Sequence, residues 1–417
     1  MNLPSFDRVG VIRPLKIRDF RLMWTGMTVS LIGDGIYLIA VAWQAYELST
    51  APTALSVVGL SQSIPLLAFI LLGGVMSDRF ERRKLMIVAD MTRGLAVGSI
   101  GVVSITGHMT LPILVVLVGL YGFGQALFYP AFGAIVPELV PDDLLVQANS
   151  LDQFARPFAY GIVGPALGGA VISSINVGAA FLLDAATFVV SGVCLLLMKQ
   201  RARPRRDEDA PGALREVIEG LRFVRSQTWL WATLLSAATA MLMFLGPFEV
   251  LVPFVVKFQL KGSAGDLGTI FAAGGVGSIL AAVIMAQIGF PKRFVTFMYL
   301  SWFVAILAVA GYGLMTSLWQ GMVIRAFAAG SATAGTIVWG TLIHRHVPKH
   351  LLGRVTGLDW LVSLSLIPLS FSVTGPIAQA IGADTTLIAG GVLGAAMTLA
   401  FLFVPGVRDL EKVELPG

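Results

Sequence analysis

The feature that most constrains this chain is a series of long apolar runs that recurs from residue 20 almost to the C-terminus. A helix of about 20 apolar residues matches the hydrocarbon thickness of a lipid bilayer. The mean hydropathy of +0.83 lies far above that of soluble proteins. The pattern therefore predicts an all-α polytopic membrane protein.

Twelve such runs are separated by short polar stretches, which predicts twelve transmembrane helices. The chain begins with a polar, basic segment and the first run is too long for a cleaved signal peptide, so we expect the first span to remain as an anchor. The predicted spans are residues 20–47, 55–76, 86–105, 112–135, 152–173, 178–198, 229–256, 266–288, 294–313, 318–341, 356–379 and 384–404.

The net charge of +5 reflects membrane topology rather than a polyanionic partner. Of the 29 Lys and Arg, only Lys257 and Lys261 fall in loops of one side, and Arg93, Arg156 and Arg325 fall within spans. Because cytoplasmic loops carry the excess of Lys and Arg, both termini are predicted to be cytoplasmic. We therefore expect a multi-pass protein of a cell (inner or plasma) membrane, bacterial in origin, with no nucleic-acid partner.

The longest polar segment divides the spans six and six. It predicts an N-terminal six-helix bundle over residues 1–198, a cytoplasmic linker over 199–228, and a C-terminal six-helix bundle over 229–417. The linker opens with the charged run KQRARPRRDEDAPG and continues with apolar residues at helical spacing, which indicates an amphipathic helix. A solvated linker explains these charges, and a regulatory docking role is the alternative.

The two halves resemble one another. Val140-Pro141 precedes Leu151-Asp152, and Val347-Pro348 precedes Leu358-Asp359, with a common offset of 207 residues. Gly164-Pro165 and Gly375-Pro376 follow in the same order. The repeat predicts two six-helix pseudo-repeats around a central cavity, as in transporters that alternate access to a central site.

The charged loop, residues 73–84 (GGVMSDRFERRK), interrupts an otherwise apolar chain. Guanidinium groups beside a carboxylate at two helix ends can form pairs that hold one gate state and break in another. Arg and Lys that only follow the positive-inside rule are the alternative. That alternative leaves the spacing from Gly74 to Asp78 unexplained.

The charged loop resembles the signature of the major facilitator superfamily, G-x-x-x-D-R-x-x-R-R. Its matching residues are Gly74, Asp78, Arg79, Arg82 and Arg83. The resemblance implies a transporter fold and assigns these residues to a cytoplasmic gate.

A second motif, GPALGG in the fifth span, resembles the G-P-x-x-G-G core that marks drug and metabolite exporters of this superfamily. Its matching residues are Gly164, Pro165, Gly168 and Gly169. The upstream glycine of the pattern is replaced by Tyr160, and the usual Arg of the fourth span by Val118. The chain looks most like the twelve-span drug:proton antiporter branch that includes macrolide and tetracycline efflux pumps and the enterobactin exporter.

Ionisable residues inside spans are costly and usually face a cavity or a partner. Asp34, Glu249 and Arg325 lie in spans one, seven and ten, which line the central cavity in the superfamily, so the resemblance places them together. A carboxyl there can carry a proton or bind a cation but not both, which gives antiport by competition. Asp34 is the first candidate proton carrier. The alternative is that Asp34 has a structural role and forms a hydrogen bond across a glycine-flanked kink in span one. Arg325 is a counter-ion or a site for an anionic group.

Two further pairs have helical spacing: Asp90 with Arg93, and Asp152 with Arg156. We expect them near the cytoplasmic ends of spans three and five, as structural pairs or latch partners of the gate. Asp184 in span six has no assignment from the sequence.

We predict a secondary transporter that exports amphipathic drugs by proton antiport. Its partners are an amphipathic small molecule, protons and the lipid bilayer, and we expect a monomer with no cofactor, metal or enzymatic activity. An exporter of an anionic metabolite such as a siderophore, or a non-transporting sensor, is the alternative. The sequence has no Walker loop for ATP. An intramembrane aspartyl protease is rejected. Gly33-Asp34 matches only half of its G-x-G-D pattern, because Leu31 replaces the first glycine, and the sequence has no second Asp-bearing motif.

Overall fold

A computed structural model describes residues 10–199 and 213–412. Within these ranges all the regular secondary structure is helical, and 12 helical segments are long and apolar enough to cross a membrane. They are Arg18–Leu48, Pro52–Ile70, Arg82–Ile105, Leu111–Leu139, Asp142–Ser174, Val177–Leu197, Thr228–Gln259, Ala264–Ile288, Phe294–Tyr312, Leu318–His346, Leu352–Ile381 and Ala383–Leu402, here called spans one to twelve. The twelve predicted spans are thereby confirmed.

Most spans are continuous helices, but three are interrupted. Span five consists of Asp142–Leu144, Leu145–Ala155, the wider π-helical turn Arg156–Val163 and Gly164–Ser174. Span seven consists of Thr228–Gly246, Pro247–Leu251, Val252–Phe254 and Val255–Gln259, and span eleven of Leu352–Ser365 and Ile367–Ile381. The helix of span two continues to Arg79. Short 3-10 helices cover Gly10–Lys16 and Asp409–Lys412.

Proline explains the interruptions of spans five and seven. Pro157 lies at the start of the wide turn of span five, Pro165 follows the turn, and Pro247 and Pro253 lie in span seven. A proline has no N–H to donate to the preceding turn, so the helix widens or bends there. The break in span seven is bridged by Ser370 of span eleven. The Ser370 hydroxyl accepts from the Gly246 N–H at 2.8 Å and donates to the Leu242 carbonyl at 2.6 Å. This side chain supplies bonding that the backbone loses.

The described residues divide into two compact units. The first comprises 10–49, 61–199 and 263–272, and the second comprises 50–60, 213–262 and 273–412. The core of the first includes Phe20, Met86 and Leu127, and the core of the second includes Trp229, Tyr299 and Leu342. The predicted bundle boundaries at 198 and 229 stay a prediction.

The linker contains the helix Ala213–Ser226, where the sequence predicts an amphipathic helix. It belongs to the second unit, and its Glu219 pairs with Arg354 of span eleven at 2.6 Å. Val224 is buried in the core of that unit, whereas Ile218 and Leu221 are exposed. The helix therefore packs on the protein with one face. Most of the charged run before it, residues 200–212, lies outside the described residues.

Candidate transport site

Asp34 lies between two glycines in the middle of span one. Its Oδ1 accepts a hydrogen bond from the Tyr121 hydroxyl of span four at 2.7 Å, and its Oδ2 lies 3.7 Å from Arg93 Nη1 of span three. The Asp34 side chain is only 12% exposed. A carboxylate in this position has one donor and one cation to stabilise it.

The glycines beside Asp34 allow neighbouring helices to approach it. A Cβ atom on Gly35 would lie 2.7 Å from the Tyr160 carbonyl oxygen and 2.9 Å from the Gly164 Cα atom of span five. A Cβ atom on Gly33 would lie 2.2 Å from an oxygen of Asp184 in span six. A Cβ atom on Gly35 would collide with backbone, so only glycine fits there, whereas one on Gly33 would have to displace the ends of the Asp184 and Thr187 side chains.

Arg93 joins two carboxyl groups. It forms a charge-assisted hydrogen bond with Asp90, one turn earlier in span three, and faces Asp34 from the other side. The second Asp90 oxygen accepts from the Ser191 hydroxyl of span six at 2.7 Å. Arg93 and Asp90 are each 1% exposed. The guanidinium lies 4.3 Å from the ring centre of Phe128 and 4.5 Å from that of Phe188.

The predicted place of Asp90 and Arg93 near the end of span three was wrong. Span three is Arg82–Ile105, so both residues lie in its middle, where they contact Asp34 through Arg93. Charges are placed there because the three groups compensate one another away from water. Helical spacing correctly predicted that Asp90 and Arg93 pair, but it could not show the contact between spans one and three.

Asp184 is the residue that sequence reasoning left without an assignment. It is fully buried, and its Oδ1 receives a long hydrogen bond of 3.3 Å from the Thr187 hydroxyl, which also bonds the Asp184 carbonyl. Its Oδ2 has no hydrogen-bond partner among the described residues. A single carboxyl in an otherwise apolar run was the available signal. We call Asp34, Asp90, Arg93 and Asp184 the Asp34 cluster.

A chain of polar side chains continues from the Asp34 cluster. Gln125 donates to the Tyr121 hydroxyl at 3.3 Å, and Gln62 of span two donates to Gln125 at 3.0 Å. The Tyr37 hydroxyl reaches Gln62 at 3.4 Å, and the Tyr37 and Tyr121 rings stack with centres 4.2 Å apart. Spans one, two and four therefore share one buried hydrogen-bond network.

The intramembrane arginine of the first unit comes from span three rather than span four. Val118, at the position where the superfamily's span four usually has Arg, is completely buried. Arg93 supplies the guanidinium that approaches Asp34. The chain thus reaches a carboxylate–guanidinium pair in this unit with a different helix.

The glycine motif of span five packs on both sides. Gly164 and Gly168 approach span one, because a Cβ atom on Gly164 would lie 2.6 Å from the Gly35 Cα and one on Gly168 would lie 3.0 Å from the Ile36 Cα. On the other side, a Cβ atom on Gly169 would lie 2.6 Å from the Ala264 carbonyl oxygen, where span eight begins. Pro165 begins the helix after the wide turn. The motif thus packs directly beside Asp34.

The charged loop is tied to the ends of spans four and six. Arg82 donates to the Ala134 carbonyl at 2.8 Å and pairs with Glu138, while Arg83 donates to the Met198 carbonyl and lies 3.4 Å from Glu81. These bonds fix the beginning of span three to its neighbours.

The remaining residues of the loop motif differ in what they contact. Arg79 is exposed, and the side chain of Asp78 lies outside the described residues. A Cβ atom on Gly74 would meet nothing within 4 Å, whereas one on Gly73 would lie 2.2 Å from the Ala126 carbonyl oxygen. In this conformation Gly73, not Gly74, is the position that requires glycine.

Arg156 and Asp152 pair within span five at 2.9 Å, as their spacing predicts. The Arg156 guanidinium lies 5.7 Å from the Phe132 ring centre, and its side chain is 40% exposed. This pair therefore lies in a wetter environment than Asp90 and Arg93. Its role as a latch partner stays a prediction.

The second unit contains a different arrangement of buried charge. The Arg325 guanidinium of span ten lies 4.3 Å from the ring centre of Phe248 in span seven. Glu249 follows Phe248 in the wide turn Pro247–Leu251, and its charge interacts with that of Arg325. Tyr312 of span nine has its ring centre 5.6 Å from that of Phe248. We call Phe248, Glu249, Tyr312 and Arg325 the Glu249 site.

The two sites can each do proton and charge chemistry. The Asp34 cluster offers carboxyl groups that gain or lose a proton beside a fixed cation, and the Glu249 site offers a carboxyl and a guanidinium beside aromatic rings. Within residues 10–199 and 213–412, no group of three or more acidic, imidazole or thiol side chains is placed to hold a metal ion.

Comparison with known proteins decides the family. The model of the family described as transmembrane secretion effector matches residues 9–415. The chain belongs to this family of major facilitator superfamily transporters. The relatives of the chain are transporters, and the chain is accordingly a multi-pass membrane protein of a transporter family.

Relatives of the family are exporters. Macrolide efflux protein A of Streptococcus pyogenes is 23% identical over 401 residues, which cover 95% of this chain and 97% of the relative. The multidrug efflux pump Tap of Mycolicibacterium fortuitum is 24% identical, covering 92% and 95%. The enterobactin exporter EntS of Shigella boydii serotype 4 (strain Sb227) is 27% identical, covering 91% and 86%. The chain is an efflux transporter of this superfamily.

The fold agrees with this membership. A solved POT family transporter in complex with 5-aminolevulinic acid superposes with a TM-score of 0.72 at 13% identity, covering 95% of this chain and 96% of that one. At this identity the likeness concerns the fold alone.

Proposed function

We propose that this transporter exports amphipathic compounds in exchange for protons, with Asp34 as the principal proton carrier. The observation that carries the proposal is the position of Asp34, 12% exposed in mid-span, 3.7 Å from Arg93 and 2.7 Å from the Tyr121 hydroxyl. Without the long ion pair and the single hydroxyl donor, an ionised Asp34 would be uncompensated in this site. Its protonated and ionised forms are therefore both accessible.

The exchange follows from competition for one carboxyl. A protonated Asp34 is neutral and releases its hold on Arg93, while an ionised Asp34 attracts both Arg93 and a cationic cargo. Since the two ligands favour different charge states of the same group, each biases the conformations that the other binds. A proton that enters from the outside then displaces the cationic cargo toward that same side, and the proton is later released to the cytoplasm.

The second unit supports an amphipathic cargo. Phe244 and Phe248 stack with ring centres 5.4 Å apart, and Glu249 lies beside them. Aromatic faces and one carboxyl suit a compound with an apolar body and a cationic group. The macrolide and multidrug exporters among the relatives support this class of cargo.

We propose that the protein acts as a monomer in a bacterial cell membrane with both termini in the cytoplasm. The distribution of Lys and Arg among the loops supports this orientation. The charged loop is then a cytoplasmic gate, where the bonds of Arg82 and Arg83 hold one state. Breaking them would free the beginning of span three to move.

Uptake of a fluorescent lipophilic cation into inside-out vesicles under an imposed pH gradient tests the proposal. The wild type should accumulate the cation only when the gradient is present, and Asp34→Asn should lose this accumulation. Asp143→Asn is the matched control, because Asp143 is an exposed carboxyl of the same unit. Gradient-driven uptake by Asp34→Asn at the wild-type rate would overturn the role of Asp34.

An exporter of an anionic metabolite is the second candidate. The Arg325 guanidinium over Phe248 favours it, since a guanidinium binds anionic groups such as carboxylates and the ring offers an aromatic face beside it. The enterobactin exporter among the relatives supports the same class. Transport of an anionic probe that is lost in Arg325→Gln but retained in Asp143→Asn, with no transport of the lipophilic cation, would favour this candidate.

A further inference from the structure

The Asp34 cluster contains more negative groups than its cation can compensate. Arg93 pairs with Asp90 and faces Asp34, so both sides of the guanidinium are occupied. Asp90 has the Ser191 hydroxyl as a further donor, and Asp34 has the Tyr121 hydroxyl. Asp184 interacts with the charge of Arg93, but in the described residues it forms no ion pair and its side chain receives no short hydrogen bond.

The burial of Asp184 makes its ionised form costly. The side chain is 0% exposed, and a buried carboxylate without a partner costs several kcal/mol. The Thr187 hydroxyl is 3.3 Å from Asp184 Oδ1 but only 2.7 Å from the Asp184 carbonyl, so it bonds mainly to the backbone. The orphan Oδ2 atom is therefore a place for a proton.

Asp184 is coupled to Asp34 through the glycine contact. Asp184 Oδ1 lies against Gly33, the residue that precedes Asp34, and the charges of the two carboxyls interact. Two carboxylates that interact in a site removed from water do not ionise together. The proton number of one carboxyl therefore depends on that of the other.

We propose that Asp184 is a second proton-binding residue of the transport cycle and shares its proton with Asp34. This inference rests on the proposed proton antiport. When Asp34 has released its proton to the cytoplasm, the Asp184 carboxyl gives its proton to the Asp34 carboxylate, so one acid and one carboxylate exchange places. The next proton then enters on Asp184 or Asp34, and the number of protons and charges balances at each step.

The charge balance of the cluster explains why two protons are needed. With Asp34 and Asp184 both protonated, the remaining Asp90 carboxylate neutralises Arg93. Loss of either proton leaves one negative charge, and a cationic cargo can neutralise it in place of the proton. The other titratable or charged groups that face these carboxyls are Tyr37 of span one, Tyr121 and Tyr129 of span four, and Arg156 of span five.

Infrared difference spectroscopy of the full-length protein in lipid vesicles tests this inference without any cargo. Protonated carboxyl groups absorb in a separate C=O band, which would be recorded as the pH is stepped. The wild type should show two buried components that titrate reversibly. Asp184→Asn should lose one of them and shift the other, and the exposed control Asp143→Asn should leave both unchanged. A spectrum of Asp184→Asn equal to that of the wild type would overturn the proposal.

A second variant guards against misfolding of Asp184→Asn. Thr187→Val keeps the shape of the side chain but removes the hydroxyl near Asp184 Oδ1. It should shift the frequency of the component that Asp184→Asn removes, and an unshifted spectrum would contradict the assignment.

Cation flux separates the two proposals. If the infrared components assign to Asp34 and Asp184 but the wild type shows no gradient-driven flux, the proton antiport fails and the carboxyl pair remains as a proton-binding site without a role in transport. If flux is proton-driven and Asp184→Asn transports at the wild-type rate, Asp184 takes no part in the cycle. A loss of accumulation of about tenfold or more in Asp184→Asn, with folding retained, is the expected result.

Discussion

The buried charges of the two units solve one problem in different ways. In the first unit, two carboxyls face one guanidinium that is 1% exposed and lies between two phenylalanine rings, and a third carboxyl, Asp184, belongs to the same cluster. In the second unit, one carboxyl and one guanidinium lie in a site with the rings of Phe248 and Tyr312, and both charged groups are half-buried. The first arrangement is closed and rich in hydrogen bonds, which suits proton binding. The second is more open and aromatic, which suits a larger organic group.

The difference shows which parts of the repeat were retained. Glycines pack span five on spans one and eight, and Gly375 of span eleven packs on the beginning of span two, with Ser56 Oγ 2.6 Å from a Cβ atom placed there. The buried charges were not retained. An offset of 207 residues pairs Arg325 with the buried Val118. The two units thus share glycine packing but differ in the chemistry of their buried charges, and the duplication of a six-helix unit stays a prediction.

Removal of the guanidinium from each site should give the largest difference in stability between the two units. Arg93→Met leaves Asp34 and Asp90 without their cation and should destabilise the protein by about 3–5 kcal/mol, as for other broken buried pairs. Arg325→Met removes a half-buried group whose guanidinium stacks on Phe248, and it should cost less. Thermal unfolding in detergent measures both. Equal losses would contradict the view that the two sites differ in closure.

Close helix packing beside Asp34 gives the next largest effect. Gly35→Ala places a Cβ atom against the backbone of span five and should cost about 1–3 kcal/mol through overpacking, with transport reduced. Gly192→Ala in span six of the same unit meets nothing within 4 Å, so it should stabilise by roughly 0.5–1 kcal/mol through helix propensity. The two variants should differ in sign in thermal unfolding. A stable, fully active Gly35→Ala variant would refute the packing argument.

Two buried tyrosines, Tyr121 in the first unit and Tyr312 in the second, should also respond differently to loss of the hydroxyl. Tyr121→Phe removes the hydroxyl that donates to Asp34 at 2.7 Å, and loss of a hydrogen bond to a charged group costs about 1.5–3 kcal/mol. We expect Tyr121→Phe to lower the free energy of unfolding by an amount at the lower end of this range. Gradient-driven uptake should fall about tenfold. The Tyr312 hydroxyl has no hydrogen-bond partner among the described residues. Tyr312→Phe in the second unit should therefore be neutral in stability, and equal losses would contradict the assignment of Tyr121.

The smallest effect concerns the linker helix. Glu219 is 48% exposed, and its ion pair with Arg354 is open to water. Glu219→Gln should change the free energy of unfolding by less than about 1 kcal/mol, because exposed ion pairs contribute little. Transport should be unchanged. A large loss of transport with normal stability would instead support the regulatory docking role for this helix.

Much of the fold could be predicted from the sequence because bilayer thickness fixes the length of an apolar helix. The twelve spans were found, although span five begins at Asp142 rather than at the predicted residue 152, and the amphipathic pattern predicted the linker helix. The interruptions of spans five and seven were less accessible. Proline marks where they occur, but the wide turns depend on how the neighbouring helices supply hydrogen bonds.

The candidate site was predictable residue by residue but not as a set. The cost of buried charge identified Asp34, Glu249 and Arg325, and helical spacing identified Asp90 with Arg93. Spacing along one helix cannot show which faces of spans one, three and six meet. For that reason Arg93 was assigned to a helix end, and Asp184 had no partner until the packing of Gly33 placed it beside Asp34.

Proton antiport through Asp34 can be tested by measuring cargo-driven proton movement in proteoliposomes. Purified protein would be reconstituted with a pH-sensitive dye inside, and a gradient of lipophilic cation would be imposed with no initial pH difference. The account predicts that protons move against the direction of the cation in the wild type and in Asp143→Asn, and that Asp34→Asn shows no proton movement. Cation flux at the normal rate without proton movement in the wild type would contradict proton antiport.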